Sequence, residues 1–140
     1  QGNAHTRRGH TLEGVARTLY CDTTGEPKPQ EVGIILNHNV GYSPDSLIGA
    51  TGLLEIKTKL PKFQIEVLLN GEIPDEHIPQ CQGGLWVSER EWIDFVSYWP
   101  GMPLFIKRAY RDDIMIRTIA ERVEAFHEEM ERRISQVMAA

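Results

Sequence analysis

The sequence contains no long apolar run. No uninterrupted apolar stretch approaches the roughly 20 residues that cross a bilayer, and the polar first ten residues cannot form the apolar core of a secretion signal. Internal repeats and low-complexity tracts are absent as well. We therefore expect a soluble protein without a membrane partner.

Cysteine is scarce in the chain. Cys21 and Cys81 are the only two, and neither lies in a Cys-x-x-Cys motif or at the Cys/His spacing of a zinc site. Two isolated thiols indicate a reducing compartment more than a disulfide framework. A zinc site is not expected.

The chain also has no excess of positive charge. Fifteen basic residues against twenty acidic ones give a formal charge of −5, which argues against a protein that coats nucleic acid by bulk attraction. A local basic groove stays possible. The 140 residues, 41% apolar and 25% charged, fit one ordinary globular domain and exclude a disordered tail or a collagen-like repeat.

The spacing of the apolar residues predicts an α/β domain with a mixed central β-sheet flanked by helices. Thr11 is the expected N-cap of a first helix. The predicted elements are a helix over 7–20, two strands joined by a turn in 32–48, a strand over 51–58, an irregular excursion over 62–77, a helix over 77–88, a hairpin of 91–99 with 104–110, and an amphipathic helix over 112–138.

The last of these helices carries apolar residues at intervals of three and four. We expect it to pack on the core, with a subunit interface as the alternative. Two pairs of opposite charge, Glu128 with Arg132 and Glu129 with Arg133, are expected to form on its solvent side.

Three charged residues carry the most information about chemistry. Asp45 is followed ten residues later by Glu55 and then by Lys57. Side chains alternate along a strand, so Glu55 and Lys57 share one face. If the strand that follows Asp45 pairs with the strand of Glu55 across the turn at 49–52, the two carboxylates converge.

Two converging carboxylates suit a hard divalent cation. Mg²⁺ or Mn²⁺ accepts carboxylate oxygens together with a backbone carbonyl such as that of Ile56, waters and a substrate phosphate. A lysine beside such a cation is able to orient a water and to offset charge on phosphoryl oxygens. The pattern therefore predicts phosphodiester hydrolysis.

Four blocks of sequence extend this pattern within the stretch from Arg8 to Asp113. They are G-H-T-L-E-G-V-A-R around Glu13, S-P-D-S-L at 43–47, L-E-I-K at 54–57, and H-I-P-Q-C-Q-G-G-L-W-V-S at 77–88. In this order and with these gaps, they resemble the PD-(D/E)xK nucleases of the lambda-exonuclease type, also called YqaJ-like viral recombinases. The resemblance implies a restriction-endonuclease-like core.

The resemblance also implies an activity. Such proteins are phage-type recombination exonucleases that hydrolyse one strand of double-stranded DNA from the 5′ end and leave a 3′ overhang. Mg²⁺ is the implied cofactor, with Mn²⁺ as a substitute. The implied partners are duplex DNA ends, further copies in a ring that is a trimer by analogy, and a single-strand annealing protein, in the cytoplasm of a bacterial host or a phage-infected cell.

Residue roles carry over by position. Asp45 and Glu55 would hold the metal with the backbone carbonyl of Ile56, and Lys57 would position the attacking water. Glu13 would support the metal or its water from the first helix, and Gln80 would contact the water or the scissile phosphate.

The chain departs from the family pattern in three places. Ser46 stands where glycine is usual, and His77 stands where tyrosine is frequent. Nearly all of the segment that normally precedes the glutamate helix, and that helps to grip the DNA end and its 5′ phosphate, is absent. We therefore expect residues 1–140 to form a single nuclease domain without that upstream segment, either as part of a longer protein or as a reduced domain.

Each site residue also has a purely structural interpretation. Glu55 and Lys57 would form an ion pair on a surface strand, and Gln80 and Gln82 would be polar positions on a half-buried helix. The three tryptophans are expected to pack in the core and against the sheet. The basic residues contact either phosphates or solvent; they are Lys57, Lys59, Lys62, Lys107, Arg108, Arg111, Arg7 and Arg8.

Two further functions stay open at the level of sequence. One is an endonuclease of the same fold. The other is a nuclease-derived DNA-binding or scaffold module.

Overall fold

The computed structural model describes the backbone from Ala4 to Ala140 and the side chains from Thr11 onward. The side chains of Arg7 and Arg8 therefore lie outside the described residues. The elements in this range are α1 (Ala4–Thr24), β1 (Ile35–Asn37), β2 (Val40–Tyr42), β3 (Ser46–Ile48), β4 (Gly52–Lys57), α2 (Pro61–Asn70), a 3-10 turn (Asp75–His77), α3 (Ile78–Ser88), β5 (Trp92–Ser97), β6 (Phe105–Tyr110) and α4 (Asp113–Ala139). No helix in it has the length and apolar character needed to cross a membrane.

The central sheet has the strand order β3-β4-β5-β6. β4 and β5 are parallel, whereas the two outer pairs are antiparallel. The parallel pair requires a crossover, which α2 and α3 supply. β1 and β2 form a separate antiparallel hairpin. The prediction of an α/β fold with a mixed sheet and flanking helices is confirmed.

Helices cover both faces of the sheet. On one face, Leu54 and Ile56 pack with Tyr20 of α1. On the other, Leu53 packs with Leu85 of α3. Because side chains alternate along β4, the residues between these apolar ones face α3. Glu55 and Lys57 thus project toward α3 at the end of a buried strand.

The first helix is longer than the spacing predicts. It runs from Ala4 to Thr24, so Thr11 lies inside it and the prediction of Thr11 as the N-cap is wrong. Gly25 follows the last helical residue; its φ of 72° is left-handed, and its N–H donates to the carbonyl of Cys21.

The second of the two strands predicted within 32–48 is divided in the structure. β2 ends at Tyr42 and β3 begins at Ser46, and the two belong to different sheets. Pro44 lies in the break, where it removes a backbone donor. The predicted turn before β2 is confirmed, since His38 and Asn39 both adopt the positive φ of a tight hairpin turn.

The prediction of an irregular segment over 62–77 is wrong, because residues 61–70 form α2. Pro61 occupies the first turn, where a missing N–H costs no helical bond, and Gly71 ends the helix with a φ of 71°. Gln64 and Val67 form its buried face. The predicted α3 and the β5–β6 hairpin are both present.

The last helix agrees with the predicted 112–138 within one residue at each end. Asp112 is its N-cap, since its side chain accepts a hydrogen bond from the N–H of Met115 at 3.0 Å. The expectation that this helix packs on the core holds for its first half: Ile116 is its only buried residue in the described chain, and Ile119 and Val123 are half-buried. Six other large apolar side chains of the helix are exposed; they are Ile114, Phe126, Met130, Ile134, Val137 and Met138.

One of the two charge pairs predicted on this helix is present. Arg133 pairs with Glu129, at 2.8 Å. Arg132 also contacts Glu129 rather than the predicted Glu128, because residues three apart are neighbours on a helix as much as residues four apart.

Candidate active site

The carboxylate of Asp45 is held against strand β4. Its Oδ2 accepts a hydrogen bond from the backbone N–H of Ile56 at 2.6 Å. Asp45 stands directly before β3, and β3 pairs with β4 so that Ser46 lies opposite Leu54. The antiparallel pairing therefore places Asp45 beside the residues at the end of β4.

Glu55 is the buried member of the group. It is 5% exposed, and its Oε2 lies 3.3 Å from the ammonium of Lys57. The side-chain amide of Gln80, on α3, donates to the same oxygen at 3.1 Å. Strand β4 thus supplies the carboxylate and the lysine, and the helix above that face supplies the amide.

The pKa values of both carboxylates are raised. Burial is the main cause for Glu55, the negative charge of Asp45 adds to it, and the pKa reaches about 7 although Lys57 opposes the shift. Burial also raises the pKa of Asp45, against the hydrogen bond from Ile56. Two carboxylates buried together with incomplete compensation favour the binding of a cation.

Helix α1 brings Glu13 to the rim of this group. The negative charge of Glu13 contributes to the raised pKa of both Asp45 and Glu55, so it lies within electrostatic range. Its Oε1 is paired with Arg17 at 3.0 Å.

Arg17 is a residue whose part the sequence reasoning missed. Besides Glu13, its guanidinium donates to the hydroxyl of Ser46 at 3.0 Å and to the carbonyl of Asp45 at 3.3 Å. Ser46 is fully buried, and its hydroxyl donates to the same carbonyl at 2.6 Å. The serine that replaces the usual glycine therefore ties α1 to the Asp45 turn. The spacing of four between Glu13 and Arg17 was the available signal.

The donor set fits a small, hard cation. Among the described residues, no three His, Cys, Asp or Glu side chains come close enough to hold a metal ion, so Glu13 does not join the two carboxylates as a third ligand. Mg²⁺ needs only one or two carboxylates when waters and phosphate oxygens complete its octahedron. The N–H and C=O of a strand residue point the same way. The carbonyl of Ile56 therefore points toward the side occupied by Asp45.

His77 directly precedes α3 and lies close to the ammonium groups of Lys59 and Lys57. It is buried, and its Nε2 is 3.0 Å from the ammonium of Lys59, which acts only as a donor. Burial, followed by the charges of Lys59 and Lys57, lowers the pKa of His77. The neutral ring therefore accepts a hydrogen bond from Lys59 and stacks edge-on against Phe63.

Several candidates from the sequence have structural contacts instead. Gln82 donates to the carbonyl of Tyr110 and accepts from the N–H of Asp112, each at 2.9 Å, so it fixes the start of α4. Arg108 pairs with Asp94 at 2.8 Å and lies 3.5 Å above the ring of Trp92. Because of these contacts, neither Arg108 nor Gln82 is free to bind a phosphate.

Tyr42 and Gly84 form a close contact that the sequence did not reveal. A β-carbon on Gly84 would lie 2.5 Å from the Cζ atom of Tyr42, so only glycine admits the ring there. Gly84 follows Gln80 by one helical turn on α3, which places the ring beside the Gln80 face of the helix. A tyrosine of the β1–β2 hairpin thus approaches the backbone of α3 closely at Gly84.

Comparisons with known proteins identify the family. The profile of the YqaJ-like viral recombinase domain matches residues 1–91. Crystal structures of the alkaline exonuclease LHK-Exo from Laribacter hongkongensis, one of them in complex with dAMP, superpose with a TM-score of 0.88 at 39% identity. They cover 98% of this chain and 73% and 74% of those chains.

A phage-related exonuclease from Haemophilus somnus 129PT shares the fold, with a TM-score of 0.67 at 20% identity, over 98% of this chain and 75% of that one. A search of the curated proteins found no match. The profile and the 39% identity agree with the four sequence blocks and with the nuclease core inferred from them. The chain belongs to the family of YqaJ-like viral recombinase domains.

Proposed function

We propose that this chain is a metal-dependent DNA exonuclease of recombination. It would hydrolyse one strand of a duplex from the 5′ end and leave a 3′ overhang. The observation that carries this proposal is the meeting of Asp45, Glu55, Lys57 and Gln80 at the end of β4, within a family of recombinase domains whose relatives here are exonucleases.

Asp45 and Glu55 are the proposed ligands of one Mg²⁺, with Mn²⁺ as a substitute and the carbonyl of Ile56 as a third donor. When bound, the cation would polarise the scissile phosphate and favour a deprotonated nucleophile. The raised pKa of both carboxylates supports this assignment. A raised pKa shows that the charged form of each carboxylate lacks sufficient stabilisation in the metal-free site, and a bound cation would supply it.

Lys57 and Gln80 act on the substrate side of this pair. Both contact Oε2 of Glu55, so both project into the same space. The ammonium of Lys57 would orient the attacking water and stabilise charge on the phosphoryl oxygens. Gln80 would donate to the water or the scissile phosphate. Glu13 supports the group from α1 through its charge.

The proposed substrate is a duplex DNA end, and the relative whose structure contains dAMP is consistent with a nucleotide in such a site. A ring of three copies around DNA and a single-strand annealing protein go with this activity. The exposed apolar side chains of distal α4, among them Phe126 and Met130, support an interface between copies. Light scattering after size exclusion measures the assembly.

Digestion of labelled DNA tests the activity. With Mg²⁺, a linear duplex carrying 5′-phosphates should release a 5′ label early as mononucleotide and retain a 3′ label in long products. A chelator should abolish both. Nicking of closed circles at the same rate would assign an endonuclease instead, and calorimetry without Mg²⁺ or Mn²⁺ binding, with DNA or without it, would assign a binding module.

A further inference from the structure

Tyr42 carries a hydroxyl group that has no hydrogen-bond partner. Within the described chain it is the one buried side-chain polar atom in this condition. A buried hydroxyl without a partner loses its hydration and gains nothing in return. Tyr20, which is fully buried, shows the usual arrangement, since its hydroxyl donates to Asp94 at 2.5 Å.

The position of this hydroxyl is fixed by packing. The ring of Tyr42 lies on the bare backbone of Gly84, where a β-carbon would come within 2.7 Å of the hydroxyl oxygen. The ring also packs against the apolar core that contains Leu53 and Leu85. The hydroxyl is therefore not free to swing into solvent to find a partner.

The same hydroxyl lies near the carboxylates. After burial, the negative charge of Glu55 is the largest cause of the raised pKa of Tyr42, and Asp45 also contributes. Tyr42 and Gln80 line one cavity of about 250 Å³, and Gln80 reaches Oε2 of Glu55 at 3.1 Å. The hydroxyl of Tyr42 keeps its proton in this environment, so it is a hydrogen-bond donor without an acceptor.

We propose that Tyr42 is a positioning residue whose hydroxyl donates a hydrogen bond to an oxygen that enters the carboxylate site with the cation. This oxygen belongs to a water or to a phosphate group. The inference rests on the proposed function, because Asp45 and Glu55 are taken to hold the cation. The inference goes beyond the proposed function by assigning a role to a residue of the β1–β2 hairpin.

Two matched substitutions test the proposal. Tyr42→Phe removes a hydroxyl without a partner, so the metal-free variant should melt no lower than the wild type. Tyr20→Phe removes a hydroxyl that is paired with Asp94, so it should lower the melting temperature by about 4 °C. The binding readout should be reversed: Tyr42→Phe should bind Mn²⁺, or dAMP in the presence of Mn²⁺, more weakly, and Tyr20→Phe should bind both like the wild type.

Calorimetric titrations separate the two sources of the oxygen. If Tyr42→Phe weakens the binding of Mn²⁺ alone by about fivefold, the acceptor is a water. If Mn²⁺ binding is unchanged and dAMP binding in the presence of Mn²⁺ is weakened by that factor, the acceptor is a phosphate oxygen. If both affinities equal those of the wild type, or if Tyr42→Phe melts as low as Tyr20→Phe, the proposal is overturned.

The wild type separates this failure from failure of the proposed function. A wild-type chain that binds Mn²⁺ and cuts DNA, together with an unaltered Tyr42→Phe variant, removes only the part assigned to Tyr42. A wild-type chain that neither binds Mn²⁺ nor cuts DNA removes the proposed function itself.

Discussion

The carboxylate of Asp45 accepts a hydrogen bond of 2.6 Å from the backbone N–H of Ile56. This bond joins the turn before β3 to the strand that carries Glu55 and Lys57. It uses a backbone donor of β4 just beyond the residues that pair with β3, which begins only at Ser46. The geometry of the two carboxylates is thus set by main-chain pairing, which is more rigid than a contact between two side chains.

Replacing Asp45 by asparagine should separate folding from metal binding. The amide oxygen still accepts from Ile56, so the melting temperature should stay near that of the wild type. Loss of the charge should weaken Mn²⁺ binding at least about tenfold and reduce DNA cutting more than about a hundredfold. Calorimetry and digestion measure both, with the exposed carboxylate variant Asp22→Asn as the control. Unaltered Mn²⁺ affinity in Asp45→Asn would remove Asp45 from the site.

Lys57→Ala should abolish cutting while leaving the fold intact. The side chain is only partly buried, and among the described residues it pairs with Glu55, so little packing is lost. The reaction loses the lysine ammonium that orients the water and offsets charge on the phosphoryl oxygens, which lowers the rate by a factor of about 10² to 10⁴. Initial rates on end-labelled duplex measure this, and the exposed Lys62→Ala should cut normally. Equal rates for the two variants would leave Lys57 as a surface ion pair.

Gln80 and Gln82 provide a matched pair on one helix. Gln80 is exposed and reaches Glu55, so Gln80→Ala should slow cutting about tenfold without changing stability. Gln82 is buried and bridges Tyr110 and Asp112, so Gln82→Ala should lower the melting temperature by several degrees, about 2 to 6 °C, as two hydrogen bonds are lost. The opposite assignment of effects would contradict the site as described.

The raised pKa of Glu55 predicts how stability depends on pH. The folded pKa of about 7 exceeds the ordinary 4.5, so the native state binds more protons than the unfolded state between these values. Without metal, stability should therefore fall as pH rises from 4.5 to 7, by about 3 kcal/mol at most. Glu55→Gln should flatten this decline, and Mg²⁺ should offset it in the wild type. Denaturant unfolding at several pH values measures all three, and a wild-type stability that rises over this window would contradict the burial of Glu55.

Local pattern was enough to predict the strands at the centre of the sheet. The alternation around Glu55 and the apolar hairpin of 91–99 with 104–110 both correspond to observed strands, because a buried strand keeps its period of two wherever it packs. The same rule failed for α2. Phe63, Ile65 and Val67 alternate, but Pro61 and Gly71 mark the two ends of a helix, and those end signals outweigh three alternating residues.

Contacts between distant segments were beyond the reach of the sequence. Nothing local indicates that Tyr42 meets Gly84, or that Arg17 holds Ser46, since each pair depends on how the hairpin and α1 pack on the sheet. The apolar spacing of α4 was read correctly as a helix. Its periodicity does not say which neighbour covers the stripe, and only Ile116 of it is buried in the described chain.

Manganese located directly in crystals tests the central claim, that Asp45 and Glu55 share one divalent cation. An anomalous difference map from crystals soaked in Mn²⁺ should show one strong peak at the end of β4, about 2.0 to 2.3 Å from a carboxylate oxygen of each residue and near the carbonyl of Ile56. A map without a peak between the two carboxylates, or with manganese bound only at other acidic side chains, would contradict the account.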